Sequence, residues 1–90
     1  MYKKKTQIKN TTGLHARPAS DFVMKAKTYM SKVFIQNIDE PDSEPVNAKS
    51  IMRILAEGMS YGTHVEVSAD GVDETTAVDQ LVALIDSFRE

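Results

Sequence analysis

Hydrophobic and polar residues in the first third of the chain follow two different periods. Residues 2–9 alternate weakly, which places Tyr2, Lys4, Thr6 and Ile8 on one face of a predicted strand. From residue 16 the period is that of a helix, because apolar residues recur on one side, namely Ala16, Ala19, Phe22, Val23 and Ala26. The chain is therefore expected to begin with a strand followed by an amphipathic helix.

A second strand and an acidic loop are predicted in the middle of the chain. The segment Lys32–Ile38 is rich in β-branched and aromatic residues, which favours a strand. Residues 39–45, with the sequence DEPDSEP, combine acidic side chains with two prolines and predict a loop. Val46 is expected to close a short edge strand, since Pro45 cannot donate a hydrogen bond to a sheet.

Capping residues mark the ends of the second predicted helix. Asn47 is a good N-cap for a helix over Ala48–Glu57. Gly58 suits its C-terminal end, where a left-handed backbone conformation is common.

The last third of the chain predicts a strand, a turn and a helix. Residues 63–69 alternate between two faces. The inward positions are Val65, Val67 and Ala69, and the outward positions are His64, Glu66 and Ser68. Asp70 and Gly71 form the predicted turn, and Asp73 is expected to cap the final helix. The apolar stripe of this helix consists of Ala77, Leu81, Leu84, Ile85 and Phe88.

The predicted order of elements is βαββαβα. Elements of this number and order form two layers, with the helices covering one face of the sheet. We therefore predict an α+β fold, an open-faced β-sandwich with three helices on one face of a four-stranded, mainly antiparallel sheet. The whole of residues 1–90 is expected to form one domain.

Composition and charge exclude several kinds of site and several classes of protein. The sequence has no cysteine, which excludes disulfides and thiolate metal sites. No apolar run approaches the length of a membrane span, and the basic N-terminus lacks the apolar segment of a signal peptide, so we expect a cytoplasmic protein. Residues 1–32 carry eight Lys or Arg against one acid, whereas residues 33–90 carry three against twelve. A partner with an acidic face could be steered to the basic part.

The stretch GLHARPAS, residues 13–20, places a histidine where the first helix begins. Pro18 suits the first turn of a helix, so the helix begins near Ala16 or Arg17 and His15 lies at its N-terminal boundary. The positive end of the helix disfavours a charged ring and favours a nucleophilic one. A phosphate on the ring would meet unpaired N–H groups and the Arg17 guanidinium. These features predict a phosphoryl acceptor.

Other interpretations of the histidines remain open at this point. A histidine near a helix start is usually a surface residue or a cap, so residue types alone leave both interpretations of His15 open. His64 lies on the outward face of a strand, which favours an ordinary surface residue. Two distant histidines and no cysteine predict no metal site, and no cofactor is expected.

Two motifs resemble those of a known family. GLHARPAS resembles the active-site signature of HPr, the histidine-containing phosphocarrier family of the bacterial phosphoenolpyruvate:sugar phosphotransferase system. VNAKSIM at residues 46–52 resembles the regulatory-serine motif of the same family. The order of the motifs, the predicted elements and the chain length extend this resemblance over nearly the whole sequence. The acidic loop at residues 39–45 looks longer than is usual in the family.

The resemblance implies a phosphocarrier without catalytic turnover of its own. His15 would take phosphate from Enzyme I on its Nδ1 atom and pass it to the A-domains of Enzyme II sugar permeases. Arg17 would be the charge partner of the phosphohistidine, and Thr12 and Ala16 would belong to the surroundings of the phosphate. Ser50 would be the regulatory serine, a target of HPr kinase/phosphorylase. The protein is expected to be a monomer.

The helix that carries Ser50 has further features of its own. With Asn47 as N-cap, Ser50 would lie in the first turn, where the helix dipole favours a phosphate, although serine is also common there without any such role. The helix has too many apolar residues for one buried stripe, and Ile54 points away from Met52. We interpret the apolar group on the other arc as a docking patch for partners, formed by Ile51, Met52 and Leu55.

Two other functions were weighed against the carrier. A mainly regulatory member of the same family would serve nitrogen signalling or bind a catabolite-control repressor. Crh-type regulators lack the active-site histidine, so His15 argues against that branch. A nucleic-acid-binding module using the N-terminal lysines is disfavoured, because the sequence offers no aromatic stacking ladder and its remainder is acidic.

Overall fold

The computed structural model describes residues 1–89, which form seven elements in the predicted order. The strands are β1 (Tyr2–Gln7), β2 (Lys32–Asn37), β3 (Val46–Asn47) and β4 (His64–Asp70). The helices are α1 (Ala16–Ala26), α2 (Ile51–Glu57) and α3 (Glu74–Ser87).

The strands form one open sheet in the order β1-β4-β2-β3, and every neighbouring pair is antiparallel. Helix α3 packs across β1, β4 and β2, and α1 contacts both α3 and α2. The predicted α+β open-faced sandwich is therefore confirmed. The largest side chains of the core are fully buried and come from every part of the described chain: Ile8, Leu14, Phe22, Ile35, Ile54, Met59, Leu81 and Ile85.

Strand β1 is tied to α3 by polar contacts of its side chains. The Tyr2 hydroxyl donates to Asp79 at 2.9 Å, and the Lys4 ammonium lies 3.1 Å from the same carboxylate. The Thr6 hydroxyl donates to Asp86. These contacts confirm that Tyr2, Lys4 and Thr6 share one face of the strand, although the strand ends two residues earlier than predicted.

The start of α2 differs from the prediction. Asn47 pairs with Phe34 in β3, so it belongs to the sheet and is not the N-cap. Its side-chain oxygen accepts from the N–H of Lys49 at 2.9 Å, which forms a turn in front of the helix. Ser50 is the N-cap, and its hydroxyl oxygen accepts from the N–H of Arg53 at 3.3 Å. Gly58 ends the helix with φ +62°, as predicted.

The stripe of α3 is broader than predicted and displaced along its surface. The buried residues are Ala77, Val78, Leu81, Val82 and Ile85. Leu84 is only partly buried, and Phe88 follows the helix and packs against the core from its edge. Because α3 contacts both the sheet and α1, two neighbouring rows of side chains are covered.

Asp73 lies at the N-cap position of α3, but its side chain does not cap the helix. Its carboxylate instead accepts from the Ser31 hydroxyl and from the backbone N–H groups of Met30 and Ser31, the latter two at 2.9 Å. These donors, the Ser31 hydroxyl foremost, lower the pKa of the Asp73 carboxyl. The residue thus joins the turn after α1 to the start of α3.

The outward face of β4 is less open than the alternation indicates. His64 is exposed and Glu66 is half-buried, but Ser68 is buried, because it lies between Phe34 of β2 and Lys3 of β1 in the sheet register. Glu66 and Ser68, together with Lys3 and Phe34, line a groove on this face of the sheet.

The turn before α1 is held against the segment that follows α2. The Leu14 N–H donates to the Met59 carbonyl at 2.8 Å. Gly13 has φ +67°, and a Cβ atom placed on it would lie 2.6 Å from the Met59 carbonyl oxygen and 2.7 Å from the Ser60 Cα. Glycine is therefore required at this position both for its backbone conformation and for the close approach of two backbone segments.

We expect Gly13→Ala to destabilise the protein more than Gly58→Ala, which is the matched control. Both glycines have left-handed φ, but a Cβ on Gly58 would meet nothing within 4 Å. The control should lose about 1 kcal/mol from backbone strain. Gly13→Ala should lose roughly 1–3 kcal/mol more, because neither backbone segment can move freely. Equal free energies of unfolding in urea for the two variants would contradict this close approach.

Candidate active site around His15

His15 is the N-cap residue of α1. Its backbone is extended, with φ −142° and ψ 157°, and its side chain makes no capping hydrogen bond. The ring is exposed, and it forms no hydrogen bond or ion pair with any other part of residues 1–89. The predicted position at the N-terminal boundary of the helix is confirmed, and the ring is accessible to a partner protein.

The residues after His15 present backbone donors to solvent. Ala16 has φ +52°, which is unusual for a residue other than glycine and carries strain. The N–H groups of Ala16 and Arg17 belong to the first turn of α1, where no carbonyl of the helix can accept from them. Pro18 has no N–H and is buried. An anion on the His15 ring would therefore find unpaired donors close to it.

Arg17 supplies the positive charge of this site. Its side chain is exposed and forms no ion pair with residues 1–89. A guanidinium can bind two oxygens of one phosphate in a fixed geometry. Thr12 is also exposed, and its hydroxyl accepts a hydrogen bond from the Asn10 amide at 3.2 Å. The structure thus places Thr12, His15, Ala16 and Arg17 in one turn and the first residues of one helix.

Asn10 is a residue of this turn that the sequence analysis did not single out. It is 2% exposed, and its amide nitrogen donates to the Gly13 carbonyl at 3.0 Å as well as to Thr12. Its amide oxygen is buried and has no hydrogen-bond partner in the described structure. A buried polar atom without a partner costs about 1–3 kcal/mol. An asparagine in a strand-to-turn segment gives no sequence signal for this burial.

Ser50 lies at the other end of α2 from the turn that carries His15. Its hydroxyl oxygen accepts from the Arg53 N–H, and the residue is partly exposed. The hydroxyl proton is not needed for that contact, so a modification of the oxygen can be accommodated at the helix start. The predicted position of Ser50 in the helix is wrong by three residues, because Asn47 was the predicted N-cap and Ser50 itself holds that position.

The apolar residues of α2 divide between the core and the surface. Ile54 is fully buried. The three residues predicted to form a docking patch remain accessible: Ile51 is 37% exposed, Met52 75% and Leu55 39%. Helix α2 contacts α1, and the Leu14–Met59 hydrogen bond keeps the residue before His15 beside the segment that follows α2. An accessible apolar surface therefore adjoins the helix that carries the histidine.

His64 has a different environment, as the sequence indicates. Its backbone N–H donates to Asp39 at 2.8 Å, and its Nδ1 atom lies 3.0 Å from the same carboxylate. The backbone N–H of His64 is the main cause that lowers the pKa of Asp39, and the ring adds to it. His64 thus anchors the beginning of the acidic loop through Asp39 and makes no side-chain hydrogen bond or ion pair with the described residues around His15.

Within residues 1–89, no group of three or more His, Cys, Asp or Glu side chains is arranged to hold a metal ion. No helix of that part of the chain is long and apolar enough to cross a membrane.

Comparison with known proteins identifies the family. The family model of the PTS HPr component phosphorylation site matches residues 2–87. The chain is 43% identical over 90 residues to the phosphocarrier protein HPr of Borreliella burgdorferi, covering 100% of both chains. It is 41% identical over 85 residues to the HPr-like protein Crh of Bacillus subtilis, covering 94% of this chain and 95% of Crh.

The solved structures that resemble this chain include HPr proteins as well. A crystal structure of HPr from Thermoanaerobacter tengcongensis has a TM-score of 0.87 and 47% identity, and the match covers 97% of this chain and 93% of that one. An HPr dimer from the same organism has a TM-score of 0.71 at the same 47% identity, covering 97% of this chain and 95% of the other. The chain therefore belongs to the HPr family of phosphocarrier proteins of the phosphotransferase system.

Proposed function

We propose that this protein carries a phosphoryl group on His15, which it accepts from phosphorylated Enzyme I and passes to the A-domains of Enzyme II sugar permeases. The observation that supports this most directly is the exposed ring of His15 at the start of α1, beside unpaired N–H groups and the free guanidinium of Arg17. We further propose that residues 1–90 act as one cytoplasmic domain and that the protein is a monomer.

The proposed transfer uses the lone pair of the His15 Nδ1 atom. This pair forms an N–P bond while the bond between phosphorus and the donor breaks, and the electron pair of that bond returns to the donor. The ring proton stays on Nε2. Arg17 and the N–H groups of the first turn stabilise the charge on the phosphoryl oxygens. The reverse sequence delivers the group to the acceptor, so the carrier is regenerated unchanged.

The docking of donor and acceptor is proposed to use Ile51, Met52 and Leu55. A carrier meets several partners through one surface, and the flexible side chain of methionine adapts to different shapes. The accessible apolar atoms of α2 lie next to α1, which supports this role.

A regulatory function at Ser50 is a second proposal on the same chain, with HPr kinase/phosphorylase as the modifying enzyme and a catabolite-control repressor as a further partner. Its support is the similarity to Crh together with the accessible hydroxyl of Ser50 at the N-cap of α2. The presence of His15 favours a carrier that is regulated over a regulator that carries nothing.

Incubation with phosphoenolpyruvate and Enzyme I should add one phosphoryl group that is labile to acid and stable to alkali, as expected for an N–P bond. Intact mass measures the addition. His15→Ala should abolish it, and the matched control His64→Ala should leave it unchanged, because His64 is engaged with Asp39. Retention of the label by His15→Ala would show that the acceptor lies elsewhere.

Arg17→Lys should slow phosphoryl transfer by about ten-fold or more, equivalent to about 1.4 kcal/mol of transition-state stabilisation. Lysine keeps the charge but not the planar fork that holds two phosphate oxygens. The matched control is Arg89→Lys, since the Arg89 guanidinium contacts the backbone carbonyls of Asp86 and Phe88. Rapid-quench kinetics give the rates, and equal rates for Arg17→Lys and the unmodified protein would remove Arg17 from the site.

Ser50→Asp should weaken the binding of Enzyme I, and Ser50→Asn is its matched control. Aspartate and asparagine are both good N-caps, so both variants keep the contact to the Arg53 N–H, whereas an alanine at this position would lose it. The added negative charge beside Ile51 and Met52 should repel an acidic partner surface, and the difference should shrink as salt rises. Titration calorimetry measures both affinities. Equal affinities at low salt would mean that charge at Ser50 does not control docking.

A further inference from the structure

Asn10 makes side-chain contacts that the proposed function does not yet use. We propose that Asn10 is a positioning residue for phosphoryl transfer at His15 and acts through the turn formed by residues 10–13. The inference rests on the proposed carrier function and adds to it a buried residue that sets the geometry of the site.

The amide of Asn10 holds this turn from the inside. Its nitrogen donates to the Gly13 carbonyl at 3.0 Å and to the Thr12 hydroxyl oxygen at 3.2 Å. The backbone carbonyl of Asn10 accepts from the Gly13 N–H at 3.2 Å. Because a carbonyl can only accept, the contact with Gly13 fixes which end of the amide points into the turn.

The turn determines where the His15 ring lies. The peptide of Gly13 and Leu14 is held on one side by Asn10 and on the other by the Met59 carbonyl. The ring of His15 itself makes no hydrogen bond with the described residues, so its position follows from the backbone that carries it. A looser turn would spread the positions of the ring and of the N–H groups that follow it. Productive geometry would then be reached less often.

The unpartnered amide oxygen is a cost of placing an asparagine at this position. This oxygen is buried without a donor in the described structure, which is unfavourable. An apolar side chain of similar shape would avoid that penalty, but it would leave the buried Gly13 carbonyl without the donor that Asn10 supplies. What the amide adds is the pair of donor contacts to Thr12 and Gly13, and the donation to Thr12 also orients a hydroxyl beside the phosphate site.

The decisive variant is Asn10→Leu, which keeps the shape of the side chain and removes both donor contacts. The rate of phosphorylation at saturating phosphorylated Enzyme I should fall about ten-fold, while the half-saturating concentration of Enzyme I changes by less than about two-fold. The half-saturating concentration of Enzyme I should stay nearly constant because the proposed docking residues Ile51, Met52 and Leu55 are unchanged in this variant. Asn10→Ala should show the same pattern, and it decides the question if the leucine does not fold.

Two controls separate positioning from loss of stability. Asn37→Ala removes an asparagine of β2 whose side chain hydrogen-bonds only to the Asp39 N–H among residues 1–89 and not to the turn of residues 10–13. Ile35→Val lowers stability by a cavity in β2 without touching the turn. Both should transfer phosphate at the rate of the unmodified protein.

Each outcome has a distinct meaning. If the unmodified protein accepts no phosphoryl group, the proposed carrier function fails. If it does accept one and the folded Asn10 variant keeps its full rate, the positioning role of Asn10 is overturned. The role is also overturned if the whole defect is a raised half-saturating concentration, since Asn10 would then act on docking and not on transfer.

Discussion

The close contact between two backbone segments, the turn of residues 10–13 and the loop that follows α2, is the constraint on which the site depends. Gly13 lies so near Met59 and Ser60 that no side chain fits between them, and the Leu14–Met59 hydrogen bond fixes the distance. This contact joins the start of α1 to the end of α2. It therefore brings His15 and the accessible apolar residues of α2 to one part of the molecule, although they are far apart in the sequence.

A carrier has to satisfy two opposing requirements in a small fold. In the proposed carrier, the histidine and the proposed docking residues must remain exposed, while the core must bury enough apolar surface to keep a single structure. Helix α2 meets both requirements within one turn, since Ile54 is fully buried and Met52 is largely exposed. The polar contacts of Asp79 and Asp73 then fasten α3 to β1 and to the turn after α1 without using any residue of the site.

Most of the fold and the position of His15 at the start of α1 could be predicted from the sequence, because both rest on local patterns. Strand and helix periods, together with Pro45 and the helix-capping residues, indicated all seven elements, and Pro18 located the beginning of α1 and thus His15. The predictions were wrong where tertiary contacts decide which of two similar residues takes a structural role. Asn47 and Ser50 are both good N-caps, and pairing of Asn47 with Phe34 in the sheet leaves the cap to Ser50. The burial of Asn10 likewise depends on a turn whose packing no local pattern reveals.

The N-cap position of Ser50 gives the proposed regulation a physical basis. As the N-cap, Ser50 already presents its oxygen to the Arg53 N–H, so a negative charge there adds to a contact that stabilises the helix. The helix would therefore keep its shape while its surface changes from apolar and neutral to charged beside Ile51 and Met52. The modification would act on recognition and leave the chemistry at His15 intact, which allows one small domain to be switched without being unfolded.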